Sequence, residues 1–412
     1  MIKLSDMNME YGLILAVCFL MVAGIIMIHS ASTGDNIDSS GVWQKQIVWA
    51  VLSLAVMAGM VFIPLKFFYA FSYVLYGVFL ALLILTEMRG SIGGGSERWL
   101  NIGPFRFQPS EFMKIATILA MARFLSDKKN RPTSYKKVII PAVIILVPAA
   151  LIMKQPDLGT SLVFCSLLFP MLYWAGLSTI RLFFLTAPIL SAVFSAPFFP
   201  FFSWVTWVIF MFAVLAVLYY SRYTLSGMGF VLSANIFAGI AVPYVFGKLK
   251  PYQQRRITTF INPEADPLDS GYQIINAKIA LGSGGVFGKG IGGGRYTEGG
   301  FLPRAHTDFI FSVVGEELGF VGSMMILGVV FYIVYRAIMI ASEARNQFMS
   351  IAAIGIATVF AFHMFVNVGM VVGIMPVTGL PLLFMSYGGS SCLTSALMVG
   401  LLINFSVNRL DY

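Results

Sequence analysis

The stretch FLPRAHTDFIFSVVGEELGFVG, residues 301–322, runs Arg304, His306 and Asp308 directly into apolar sequence. A carboxylate beside a basic, water-filled cavity has the chemistry of a general base, able to take a proton from an attacking hydroxyl. The plainer alternative is a first-turn aspartate favoured by the helix dipole. Glu316 and Glu317 follow about 12 Å further along a helix, too far from Asp308 to share a proton directly. They read most simply as neutral or hydrogen-bonded carboxyls inside a bundle.

Other polar groups sit in comparably apolar surroundings. In QPSEFMK, Pro109 suits a first helical turn, and Glu111 and Lys114, three apart, can pair on one helix face. The pair either eases the entry of a helix into a membrane or lines a charged cavity. In KQPDLGT, Pro156, Asp157 and Gly159 are turn formers, so Asp157 is either a turn residue or a cavity residue. The stretch MPVTGLPLLFMSYGGSS, residues 375–391, is interrupted by Pro376, Gly379, Pro381, Gly388 and Gly389. It cannot be a regular lipid-facing helix and belongs inside protein or along a cavity; Ser386 and Tyr387 within it are candidate cavity residues. GSGGVFGKGIGGG, residues 282–294, fails as a nucleotide loop. Ser283 stands where the first glycine of GxxxxGK[ST] belongs, and Gly290 where Ser or Thr is required. Its glycines instead permit tight turns or close backbone approach.

The elements that must position these groups follow from composition. Of 412 residues, 58% are hydrophobic and only 11% charged, and apolar runs near 20 residues recur throughout. That is a polytopic membrane protein. The runs are continuous rather than alternating, so helices are expected and an outer-membrane barrel is not. About twelve spans are expected: 11–28, 47–63, 67–85, 112–125, 138–153, 158–174, 182–198, 204–220, 228–246, 308–335, 351–372 and 390–405. Nothing resembles a cleavable signal peptide, and the first span is expected to act as the anchor. Cys18, Cys165 and Cys392 have no metal or redox spacing and read as packing residues. His29, His306 and His363 are too scattered for a metal site.

The most basic short loop, SDKKNRPTSYKK at residues 126–137, is expected in the cytoplasm. Threading outward then places the N-terminus inside and two larger loops, 86–110 and 247–307, outside. The second loop holds Lys248, Lys250, Arg255, Arg256, Lys278, Lys289, Arg295 and Arg304, roughly twice as many basic as acidic residues. Two readings stay open: attraction to anionic lipid headgroups, or binding of an anionic substrate such as a diphosphate.

Five motifs in one order (RFQPSEFMKIA, KQPDLGT, NPEADPLDSGYQIINAKIALGSGG, LPRAHTDFIFSVVGEELGFVG and PVTGLPLLFMSYGGSS) closely resemble the shape, elongation, division and sporulation family. The resemblance covers nearly the whole chain and implies a peptidoglycan glycosyltransferase. Such an enzyme polymerises lipid II at the outer face of the bacterial cytoplasmic (inner) membrane beside a class B penicillin-binding protein. It implies that Asp308 matches the family's essential aspartate, that Glu111 and Lys114 match its QPSE-type motif, and that Asp157 matches its PDLGT turn. The implied partners are lipid II, an undecaprenyl-diphosphate-linked glycan and the bilayer, with no nucleic acid and with both termini cytoplasmic. From charge alone, Arg255, Arg256, Lys278 and Arg304 are expected to steady a diphosphate, with His306 beside them. No cofactor is certain; Asp266 and Asp269 are weak candidates for holding a magnesium or manganese ion.

Family members usually have ten spans, so residues 182–220 read as an inserted helix pair. KQPDLGT and EFMKIA favour the elongation branch, whereas RAHTDFIFSVVGEE and VGLLINFS lean toward the septal branch. The rival functions are a flippase for lipid II or another polyprenyl lipid, which broken helices and intramembrane charges suit equally, and a non-catalytic scaffold.

Overall fold

The computed structural model describes residues 10–32, 41–89, 91–93, 96–102, 105–196, 204–221, 225–248, 254, 270–299, 301–302 and 305–410. Among these, eight helices are long and apolar enough to cross a membrane. They are α1 (Tyr11–Ser32), α2 (Val42–Val61), α3 (Leu65–Arg89), α5 (Ile139–Lys154), α9 (Leu225–Lys248), α12 (Ile310–Glu343), α13 (Gln347–Val372) and α14 (Gly389–Val407). Three shorter apolar helices join them: α6 (Leu158–Trp174), α7 (Thr179–Phe194) and α8 (Trp204–Tyr220). The expected fourth span is α4 (Pro109–Ser126), less apolar because it carries Glu111, Lys114 and Arg123. The chain is a multi-pass helical membrane protein. Two further helices, α10 (Ser270–Ser283) and the single turn α11 (Arg295–Glu298), precede α12.

Two compact units divide the chain: residues 1–176 with 276–412, and residues 177–275. In the first, α14 packs along α2, and α12 along α13, which also touches α4 and α6. Helices α13 and α14 are apolar nearly all round because they lie at the centre of the unit. The start of α1 and the last turn of α14 meet at one end of this unit. Glu10 accepts from Arg336 Nη2 at 2.6 Å and from Ser406 Oγ at 2.8 Å. Phe348 joins α13 to Phe405 of α14 and to Tyr69 of α3. Arg123 of α4 stacks on Tyr69 and Tyr73, so the basic loop that follows α4 lies at this same end.

In the second unit, α7, α8 and α9 share a core of Phe184, Ala187, Val214, Leu218 and Val231. Ser191 ties the three together: it donates to Asn235 O at 2.8 Å and accepts from Trp207 Nε1 at 2.7 Å.

Two features depart from the expected elements. Within the expected loop at 86–110, the described residues form short antiparallel strands β1 (Ser91–Gly93), β2 (Ser96–Ile102) and β3 (Phe105–Phe107). Leu100 pairs with Phe107, and Phe107 stacks on Phe112 at 4.7 Å, delivering the chain into Pro109 at the start of α4.

The expected continuous span 308–335 is also corrected: α12 starts at Ile310 and breaks at Gly319, whose φ of 66° and ψ of −163° are non-helical. Only glycine enters this region readily. The break leaves carbonyls and N–H groups without helical partners, and the glycine-rich loop supplies them. Lys289 N and Gly290 N donate to Glu316 O and Glu317 O, while Phe320 N and Val321 N donate to Gly285 O and Val286 O. A Cβ on Gly288 would fall 2.1 Å from Glu317 O, so the loop docks this closely only with glycine there.

Candidate active site

The sequence-predicted groups assemble around residues 373–391, which leave α13 and return as α14. The Glu111–Lys114 pair forms as expected, with Lys114 Nζ 2.9 Å from Glu111 Oε1. Lys114 is fully buried. Its second partner has no signature in the sequence: His363 of α13 has Nε2 3.3 Å from the ammonium. The other ring nitrogen, Nδ1, is 2.9 Å from Pro381 O. A carbonyl only accepts and an ammonium only donates, so the geometry fixes a neutral imidazole with its proton on Nδ1. Thr394 of α14 donates to Glu111 Oε2 at 3.2 Å. Beyond each other, the two charges are thus satisfied by two helical side chains, His363 and Thr394, with His363 itself held by a carbonyl of the broken segment; the pair would otherwise be costly to bury.

One turn beyond His363, buried Asn367 extends the same clamp. Its Nδ2 donates to Leu380 O at 2.8 Å and to the backbone carbonyl of Asp308 at 2.9 Å. Consecutive carbonyls, Leu380 and Pro381, are therefore held by consecutive turns of α13. The Asp308 side chain is half-buried and lies against this segment; a Cβ on Gly379 would be 3.5 Å from Oδ2. His306 O accepts from Tyr387 N at 2.9 Å, and the two rings meet edge to face at 6.0 Å. Ser386 Oγ accepts from Leu382 N at 2.9 Å, closing the turn that holds Phe384 at φ 66°. A phenylalanine in that left-handed region is strained, and such residues persist where their surroundings over-determine them.

Asp157 caps α6: Oδ1 accepts from Thr160 N at 3.0 Å and Oδ2 from Thr160 Oγ1 at 2.9 Å. Its turn touches the same segment, because a Cβ on Gly159 would lie 2.6 Å from Thr378 O. Lys278 of α10 reaches Gly373 at the C-terminal end of α13, where a cation is favoured. Arg255, Arg256, Arg304, Asp266 and Asp269 lie outside the described residues. Among the described residues no group of three or more His, Cys, Asp or Glu side chains could hold a metal ion.

The two glutamates of α12 are hydrogen-bonded, as expected, and form a separate cluster. Glu316 accepts from Lys289 Nζ at 2.8 Å, Tyr296 N at 3.1 Å, Thr297 N at 3.1 Å and Thr297 Oγ1 at 2.8 Å. Lys289, counted by charge among the outer-loop cations, is thereby engaged by a buried carboxylate while the residue itself stays exposed. Glu317 accepts from Ser30 of α1.

The FtsW/RodA/SpoVE family model, described as a cell cycle protein, matches residues 11–203 and 203–410. The chain is 34% identical over 430 residues to the peptidoglycan glycosyltransferase RodA of Treponema pallidum (strain Nichols), with 98% of each covered. It is 35% identical over 409 residues to a probable peptidoglycan glycosyltransferase FtsW of Trichlorobacter lovleyi, covering 96% of this chain and 93% of the relative. Its fold is similar, at TM-score 0.73 and 26% identity, to a chain from a peptidoglycan synthase complex that coordinates polymerization and crosslinking. That likeness covers 98% of this chain and 99% of the other. A buried ion pair, a clamped break and a half-buried aspartate lie within sequence matched end to end, and the chain belongs to the FtsW/RodA/SpoVE family.

Proposed function

We propose that the chain is a peptidoglycan glycosyltransferase that polymerises lipid II into β-1,4 glycan strands, with Asp308 as the general base. The observation that carries this reading is the Asp308 carboxylate, half-buried and set against a segment braced by α13. The 4-hydroxyl of the acceptor sugar attacks the anomeric carbon of the lipid-linked donor. A new C–O bond forms, the bond from that carbon to the diphosphate oxygen breaks, and Asp308 takes the hydroxyl proton. The leaving undecaprenyl diphosphate carries away the electron pair, with Lys278 and the loop residues Arg255, Arg256 and Arg304 steadying its charge. Glu111, Lys114 and Asp157 are assigned to supporting the segment beside Asp308, and His306, Ser386 and Tyr387 to contacting the substrate there. A class B penicillin-binding protein would crosslink the strands, and cell elongation is the favoured setting, with septation the alternative.

The bacterial inner membrane is the proposed location. The basic loop after α4, the start of α1 and the last turn of α14 share one end of the first unit, which the charge rule assigns to the cytoplasm. Asp308 then faces outward. Helices α7 and α8 are the pair added to the family's usual ten.

The broken α12 also suits a lipid transporter, so the test separates the two. Purified protein is supplied with its cognate penicillin-binding protein and lipid II, with no other polymerase present. Glycan strands from the wild type and none from Asp308→Ala support the enzyme. Lipid II crossing a vesicle bilayer without polymer overturns it.

A further inference from the structure

We propose that the glycine-rich loop at residues 284–293 dips into the bilayer, in the leaflet nearer Asp308, instead of standing in water. The loop carries Val286, Phe287 and Ile291 with 56%, 84% and 61% of their surfaces exposed. Its one charged side chain, Lys289, is paired with Glu316 at 2.8 Å and donates to Ser283 Oγ at 2.7 Å, so its charge is compensated although the residue stays exposed.

The occupant is identified by continuity with the lipid-facing side of α12. Two backbone bonds, Phe320 N to Gly285 O at 2.9 Å and Val321 N to Val286 O at 3.1 Å, fix the loop at the level of Phe320. Phe320 begins the exposed apolar face of α12, which continues to Ile338. Eighteen residues at about 1.5 Å each give about 27 Å, close to the hydrocarbon thickness of about 30 Å. Phe320, and the loop bonded to it, therefore stand at one edge of the hydrocarbon. The nine residues before the break, by contrast, are almost all buried in protein.

Backbone chemistry agrees for the part of the loop that is seated on the break. Irregular backbone survives at membrane depth only where its polar groups are satisfied. The N–H groups of Gly285, Gly288, Lys289, Gly290 and Gly293 all donate to backbone carbonyls, and Gly284 O, Gly285 O, Val286 O and Gly290 O all accept.

The test places a nitroxide at Phe287→Cys in the full chain with its three cysteines replaced, in vesicles of phosphatidylethanolamine and phosphatidylglycerol. Phe331→Cys serves as the lipid reference and Lys129→Cys as the aqueous one. The expected ratio of oxygen to nickel-chelate accessibility is several-fold above that at Lys129 and approaches that at Phe331. A ratio equal to that at Lys129, or a label shielded from both reagents by protein, overturns the proposal. A photo-crosslinking benzoylphenylalanine at position 287, in the chain with its cysteines intact, is a second measurement. Adducts on phospholipid acyl chains are expected, and adducts on protein alone contradict the insertion.

Discussion

Lys114 is the most exacting residue in the molecule, because its charge is buried and its partners are few. Removing one member of a buried ion pair costs about 3–5 kcal/mol, since the other charge is stranded. Lys114→Met is therefore expected to lower the thermal midpoint of the purified protein sharply, and Glu111→Leu added to it should recover part of the loss. An unchanged midpoint in the single variant would show that the pair carries no such weight. Asn367 is the second exacting residue, holding both Leu380 O and the carbonyl of Asp308. Asn367→Leu orphans the buried Leu380 carbonyl at about 1–3 kcal/mol, removes the part-buried bond to the Asp308 carbonyl and frees the backbone beneath the proposed base. Turnover should fall by about tenfold to a hundredfold, a barrier increase of about 1.4–2.7 kcal/mol, with a smaller change in KM. At this scale the sequence was legible where partners are local: Glu111 and Lys114 are three apart. His363 escaped because its contact with Lys114 spans 249 positions and a lone histidine carries no spacing signal.

Among the elements, α12 departs most from its expected form. The apolar pattern across Leu318, Gly319 and Phe320 is that of an uninterrupted span, and a glycine inside a helix is only mildly unfavourable. What breaks it is a loop some 30 residues upstream whose own glycines let four backbone bonds form. That correspondence is tertiary and leaves no periodicity behind. Alanine substitutions separate conformational strain from contact. Gly290 and Gly288 both have positive φ, but a Cβ on Gly290 meets open space. Gly290→Ala should cost about 1 kcal/mol, the ordinary strain of a left-handed alanine. Gly288→Ala, forced against Glu317 O, should cost several times more. Equal losses in thermal midpoint would mean that the loop is not seated on the break.

For the whole molecule, the arrangement of spans was the most legible property. Lipid cannot satisfy a backbone, so long apolar runs must become helices, and all twelve expected spans have helical counterparts. The prolines and glycines of the segment at 375–391 mark it as broken, although its place against Asp308, Gly159 and His363 emerges only in three dimensions. Orientation is testable: reporter fusions after Asn408 and within the loop at 126–137 should both report cytoplasm, and opposite reports would reverse the topology. The most direct measurement of the central claim is polymerisation of lipid II by Asp308→Ala in its synthase complex, with lipid II binding followed in parallel. Loss of general-base catalysis should lower turnover by about 100-fold or more while binding is largely kept. Strands of normal yield from the alanine variant would contradict the role of Asp308 outright.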